Sequence, residues 1–103
     1  MDTFDDGPAS YTDTLLDILK KYNVKATFFV IGNRLVREEN KKTLKRMYSD
    51  GHIVAIHGYN HTSMTTLTDQ QIKQEMDRTS QVIFDLIGVR PAYMVKRKLL
   101  QFL

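Results

Sequence analysis

Four polar residues stand out by type and spacing. Asp5 and Asp6 are adjacent and run directly into Gly7-Pro8, while His57 and His61 lie four apart around Gly58 and Asn60. On an extended chain neighbouring side chains point apart, so two adjacent carboxylates can divide labour, one binding a metal and the other accepting a proton. Gly7-Pro8 forces a turn that holds both carboxylates at the end of the preceding segment. The histidine spacing would place both rings on one helix face, but Gly58 and Asn60 disfavour helix. A turn after a strand brings two imidazoles to one point equally well. Two neutral imidazoles and one carboxylate suit a divalent ion of the zinc type, with positions left for water and substrate. The spare carboxylate completes the set needed for metal-assisted hydrolysis, in which the ion acidifies water and polarises a carbonyl while a base takes the proton. Taken singly, each cluster has a plainer reading, a solvated Asp-Asp-Gly-Pro turn and two surface histidines in a polar loop; only their combination is specific. His52 opens an apolar run and reads as a packed or hydrogen-bonded structural histidine.

Such a site needs elements that deliver both clusters to one place, and the hydrophobic pattern supplies them. Thr3-Phe4 is the stub of a strand leading into Asp5-Asp6. Leu15, Ile18, Leu19 and Tyr22 recur at helical spacing, with Ser10 as a cap, Asp13 in the first turn and Asn23 as a left-handed stop. Residues 24–31 (VKATFFVI) predict a strand closed by Gly32-Asn33, and residues 36–48 a second helix ending at Asp50-Gly51. Residues 52–56 predict a further strand, whose near-continuous apolar run suits a parallel strand covered on both faces. Thr68-Asp69-Gln70-Gln71 has the form of a capping box; Ile72, Met76, Ile83 and Ile87 continue one face to a stop at Gly88. Three strand–helix units in succession imply an α/β fold with parallel strands and right-handed crossovers. In such folds the loops at the carboxyl ends of the strands hold the chemistry, and both polar clusters follow strands.

Bulk properties narrow the remaining classes. At 103 residues, 42% hydrophobic and 26% charged, the chain is one domain at most and has enough apolar residues for a core. No cysteine is present, which excludes disulfides and thiolate metal sites. No apolar run reaches the ~18 residues of a membrane span, and the first residues lack the basic-then-apolar pattern of a signal peptide. The net charge of +3 is supplied by Lys96, Arg97 and Lys98; without these three, 12 basic residues balance 12 acidic ones. A neutral body with a basic end is a poor footprint for nucleic acid.

Thr3-Phe4-Asp5-Asp6-Gly7-Pro8 matches the TFDDGP motif of the polysaccharide deacetylase family (carbohydrate esterase family four), which includes chitin and peptidoglycan deacetylases. Val24-Lys25-Ala26-Thr27-Phe28-Phe29-Val30 resembles that family's second strand, and Gly51-His52 leading to His57-Gly58-Tyr59-Asn60-His61 resembles its H-S/T-x-x-H motif. The similarity spans residues 3–94. It implies Asp5 as catalytic base, and Asp6, His57 and His61 as ligands of a divalent metal, zinc first, with cobalt or another divalent ion as alternatives. The implied reaction is hydrolysis of N-acetyl groups from N-acetylglucosamine polymers. Gly88-Val89-Arg90-Pro91-Ala92-Tyr93-Met94 is most similar to the fungal chitin deacetylase branch, which makes chitin the expected substrate. The family also implies a secreted or cell-wall location and a seven- or eight-stranded (β/α) barrel.

Two departures from the family pattern matter. Gly58 replaces a Ser/Thr whose hydroxyl braces the histidine loop. After Met94, where the family's RPPYG motif should begin, the chain reads Val95-Lys96-Arg97-Lys98-Leu99, and Arg90-Pro91 falls before the motif's position. The later tryptophan motif and the final general-acid histidine have no counterpart. The expectation is therefore an incomplete barrel: residues 1–94 as its N-terminal half and residues 95–103 as an aberrant basic and apolar tail, with an open barrel edge that favours self-association. Beside the enzymatic reading stands a remnant that binds a metal or polysaccharide without turnover. A third reading, an interaction module built on the tail, has no pattern to support it.

Overall fold

The computed structural model describes residues 2–59 and 68–91. The expectations for His61 and for residues 95–103 lie outside these residues. In chain order the elements are β1 (Asp2–Gly7), α1 (Thr12–Lys21), β2 (Ala26–Ile31), a 3₁₀ turn (Gly32–Val36), α2 (Glu38–Ser49), β3 (Ile53–Gly58) and α3 (Asp69–Ile87). The strands form one parallel sheet in the order β1-β2-β3. Parallel neighbours joined through helices are what the alternating pattern requires, and β2, paired on both sides, is the centre of the sheet.

The core lies where α1, α2 and α3 meet the sheet. Leu16, Leu19, Phe28, Val30, Leu44, Met47, Ile56 and Ile83 form one buried cluster, each large side chain contributing about 1.5–3 kcal/mol by leaving water. Phe4 of β1 stacks on Phe28 of β2 at 5.3 Å between ring centroids. The buried run Val54-Ala55-Ile56-His57 in β3 confirms a strand covered on both faces. His52, immediately before β3, is only 5% exposed. Its Nδ1 accepts the Ala26 backbone N–H at 3.0 Å and its ring meets Phe28 edge-on. It is the packed histidine expected from the sequence.

The best-marked helix signals are met. Thr68 and Gln71 form a reciprocal capping box, and Gly88 closes α3 in the left-handed region at φ 77°, as Asn23 does after α1 at φ 56°. Other details are corrected. Ser10 does not cap α1: the N-cap is Tyr11, without a side-chain cap, and Thr12 Oγ1 accepts the Ala9 N–H instead. The buried stripe of α1 is Thr12, Leu16 and Leu19, whereas Ile18 and Tyr22 are 49% and 67% exposed. Both stripes have helical spacing, and the position of α2 and the sheet selects between them. β2 starts at Ala26, leaving Val24 exposed, and the second helix is split into the 3₁₀ turn and α2. β3 extends to Gly58, so His57 belongs to the strand and not to a turn after it.

Candidate active site

Asp5, Asp6 and His57 come together at the carboxyl end of the sheet. Each of the two flanking strands is irregular there. β1 pairs Asp5 with Phe29 and then Gly7 with Val30, passing over Asp6; β3 pairs Ile56 with Val30 and then Gly58 with Ile31, passing over His57. An extra residue in one strand bends it and re-aims a side chain. Asp6 adopts the left-handed conformation at φ 68°, one that Asp and Asn tolerate better than other non-glycine residues. As a result His57 Nε2 lies 3.0 Å from Asp6 Oδ1. The imidazole is enclosed, 8% exposed, while the carboxylate is 41% exposed and faces outward. Asp5, the neighbour of Asp6 in β1, has one carboxylate oxygen, Oδ1, that is buried without a hydrogen-bond partner among the described residues. A buried acceptor of that kind marks a place where water, an ion or a reacting group belongs.

The donor set fits a divalent ion. Two ligands about 2.0–2.2 Å from a tetrahedral centre lie about 3.3–3.6 Å from each other, so Asp6 Oδ1 and His57 Nε2 need open by only about half an ångström to share one ion. Among the described residues no third histidine or carboxylate completes a cluster of three ligands; the expected third ligand, His61, lies outside them. No helix among the described residues is long and apolar enough to cross a membrane. A polar cleft of about 660 Å³ opens beside the Asp5–Asp6 turn, lined by Pro8, Ser10, Asn33, Arg34, Arg37 and Asn40. The other groove, apolar and about 270 Å³, lies at the opposite end of β3 against His52, Ile53 and Ile87. The polar cleft is thus at the same end of the sheet as Asp5, Asp6 and His57.

Tyr59, Glu75 and Arg78 carry no motif in the sequence that marks them for the site. The Tyr59 N–H donates to Glu75 Oε1 at 3.0 Å, and the Arg78 guanidinium lies 3.7 Å from the centre of the Tyr59 ring. Glu75 and Arg78 stand three apart on α3, so they share a face. That spacing, with an aromatic residue two places after His57, was the available signal.

The model of the polysaccharide deacetylase family matches residues 1–97. Chitin deacetylase from Colletotrichum lindemuthianum is 41% identical over 95 residues, covering 89% of this chain and 38% of that protein. Its solved structure superposes with a TM-score of 0.84 over 89% of this chain and 42% of its own. Peptidoglycan-N-acetylglucosamine deacetylase PgdA from Listeria monocytogenes is 40% identical over 93 residues, covering 89% of this chain and 20% of that protein. An acetyl xylan esterase from Clostridium thermocellum, solved in complex with a cobalt ion, superposes with a TM-score of 0.78 at 37% identity, over 86% of this chain and 43% of its own. The chain spans well under half the length of the relatives it matches. Its parallel sheet with covering helices is the counterpart of part of their β/α barrel. With a family match over residues 1–97 and the paired aspartates facing a histidine across a parallel sheet, the chain belongs to the polysaccharide deacetylase family.

Proposed function

We propose that these residues form the metal-binding and catalytic-base end of a deacetylase that hydrolyses N-acetyl groups of N-acetylglucosamine polymers, with chitin as the preferred substrate. The observation that carries this reading is the 3.0 Å approach of His57 Nε2 to Asp6 Oδ1, with a buried oxygen on the neighbouring residue Asp5. In this reading Asp6, His57 and His61 hold a divalent ion, zinc by preference, and the cobalt-bound relative supports a divalent ion in the family. Such an ion, when bound, polarises the acetyl carbonyl and makes water easier to deprotonate. Asp5 is the base in this reading, its unpartnered buried oxygen the acceptor for the proton of the attacking water. Asp6 is 41% exposed, and the polar cleft lined by Asn33, Arg34 and Arg37 offers groups that can bond sugar hydroxyls. The preference for chitin rests on the resemblance of residues 88–94 to the fungal chitin deacetylase branch, since the fungal chitin deacetylase and the Listeria peptidoglycan deacetylase are equally similar over the whole chain.

The test is acetate release from chitin oligomers by a chimera. Residues 1–94 are joined to the part of the Colletotrichum enzyme that this chain does not span. The chimera should release acetate with added zinc or cobalt, and Asp5→Asn should abolish release while leaving metal binding in place. A folded, metal-loaded chimera that deacetylates neither chitin nor peptidoglycan would refute the reading. A second reading is ion or polymer binding by these residues without turnover. It expects zinc binding by the isolated polypeptide with acetate release at background.

A further inference from the structure

The segment leaving β3 is fastened on every side at Tyr59. Its N–H donates to Glu75 Oε1 of α3 at 3.0 Å, and its carbonyl accepts the Asn33 N–H at 2.8 Å. One face of its ring is covered by Arg78 at 3.7 Å. Gly32 lies against the ring as well: a Cβ built there would stand 2.7 Å from Tyr59 Cδ2 and 2.6 Å from Thr79 Oγ1. Both backbone polar groups of Tyr59 are thus held by elements other than its own strand. This happens two residues beyond His57, immediately after the irregular end of β3. Gly58, at φ 151°, has no side chain of its own with which to secure the segment.

We propose that Glu75 and Arg78, acting through Tyr59, are positioning residues for His57, fixing where its imidazole faces Asp6; the proposal rests on His57 being a metal ligand. A charge-assisted bond from a carboxylate to a backbone N–H is about twice as strong as a neutral one. The guanidinium over the ring adds an attraction that grows when desolvated. Without the clamp, His57 would sample several orientations at the end of a strand whose ladder is already broken, and an ion would have to order it on binding. Neighbouring groups that orient metal ligands typically alter metal affinity about 10–100-fold when removed.

The experiment measures zinc affinity of the 103-residue chain by competition with a chromophoric chelator, and amide exchange at Tyr59 by NMR. Glu75→Ala should weaken zinc about 10–100-fold and remove exchange protection at Tyr59. Glu75→Gln, whose amide oxygen still accepts, should restore most of both. Gly32→Ala places a methyl group 2.7 Å from Tyr59 Cδ2, displaces the ring and should reproduce the zinc loss. Lys73→Ala, in an exposed pair with Asp77 on the same helix, should change neither. A folded Glu75→Ala chain with the parent's zinc affinity would overturn the proposal, as would equal losses for Glu75→Ala and Glu75→Gln. If Glu75→Ala fails to fold, the Gly32→Ala and Glu75→Gln chains decide by the same criteria. A parent chain that binds no zinc would instead sink the assignment of His57 as a ligand, a different failure with a different signature.

Discussion

Replacing His52 with leucine separates the histidine that builds the sheet from the one that serves the site. His52 Nδ1 accepts the Ala26 N–H at 3.0 Å in a position only 5% exposed. Leucine keeps the apolar volume against Phe28 but offers no acceptor, so the first N–H of β2 is left buried and unpaired. Leaving such a donor unsatisfied costs about 1–3 kcal/mol. For a domain near 100 residues that corresponds to a fall in melting temperature of roughly 4–24 °C. The pH dependence sharpens the test. Burial, helped by the nearby Lys25 and Arg46 cations and opposed by Asp50, holds the His52 pKa below its ordinary value of 6.5. The unfolded chain therefore binds the proton more readily, and stability rises with pH. The contribution is present in full above the unfolded value and is lost as pH falls through the folded one, where a protonated ring would have to face an N–H donor. Thermal unfolding followed by circular dichroism between pH 5 and 8 should show a parent-minus-variant difference that is largest at pH 8 and shrinks toward pH 5. Zinc affinity of the folded variant should match the parent's. A difference that does not vary with pH, or a loss of zinc binding equal to that of His57→Ala, would refute the assignment.

Three further outcomes are expected. Asp6→Asn and His57→Ala should each abolish calorimetric zinc binding, whereas Asp5→Asn should retain it; Asp6→Asn should also leave the melting temperature nearly unchanged, because asparagine tolerates φ 68° as well as aspartate does. Thr68→Ala removes the acceptor for the Gln71 N–H and should cost about 1 kcal/mol in urea denaturation, with the slope unchanged. Arg46, which bridges Asp17 of α1 and Asp50 beyond α2, is a partly exposed network; Arg46→Met should cost no more than about 1 kcal/mol, and the difference should fade in 1 M salt.

Much of this was legible in the sequence because the signals were local. The Thr68–Gln71 box and the left-handed stops at Asn23 and Gly88 depend on a few adjacent residues and are found where expected, and the apolar runs give β2 and β3 with their ends shifted by one or two residues. The buried stripe of α1 was misread because Leu15, Leu16, Ile18 and Leu19 allow two helical faces, and only the docking partner chooses one. The glycine and asparagine after His57 suggest a turn, whereas pairing with β2 carries the strand on to Gly58. The site residues were visible by type; their approach across the sheet was not, since Asp6 and His57 are 51 positions apart and meet through ladder irregularities that no local pattern encodes. Glu75 was hidden for the same reason, as one acid among many on a helix surface.

Those irregularities set a rule for anyone wishing to transplant the site. In a regular parallel ladder Asp6 would stand in the row of Val30 and His57 in the row of Ile31. Adjacent rows send their side chains to opposite faces of the sheet. An idealised scaffold carrying the same residues at the same sequence positions would therefore aim the carboxylate and the imidazole away from each other. The portable unit is the trio of strand ends together with their two miscounts, and straightening either edge strand for stability would dismantle the pair while leaving every residue in place.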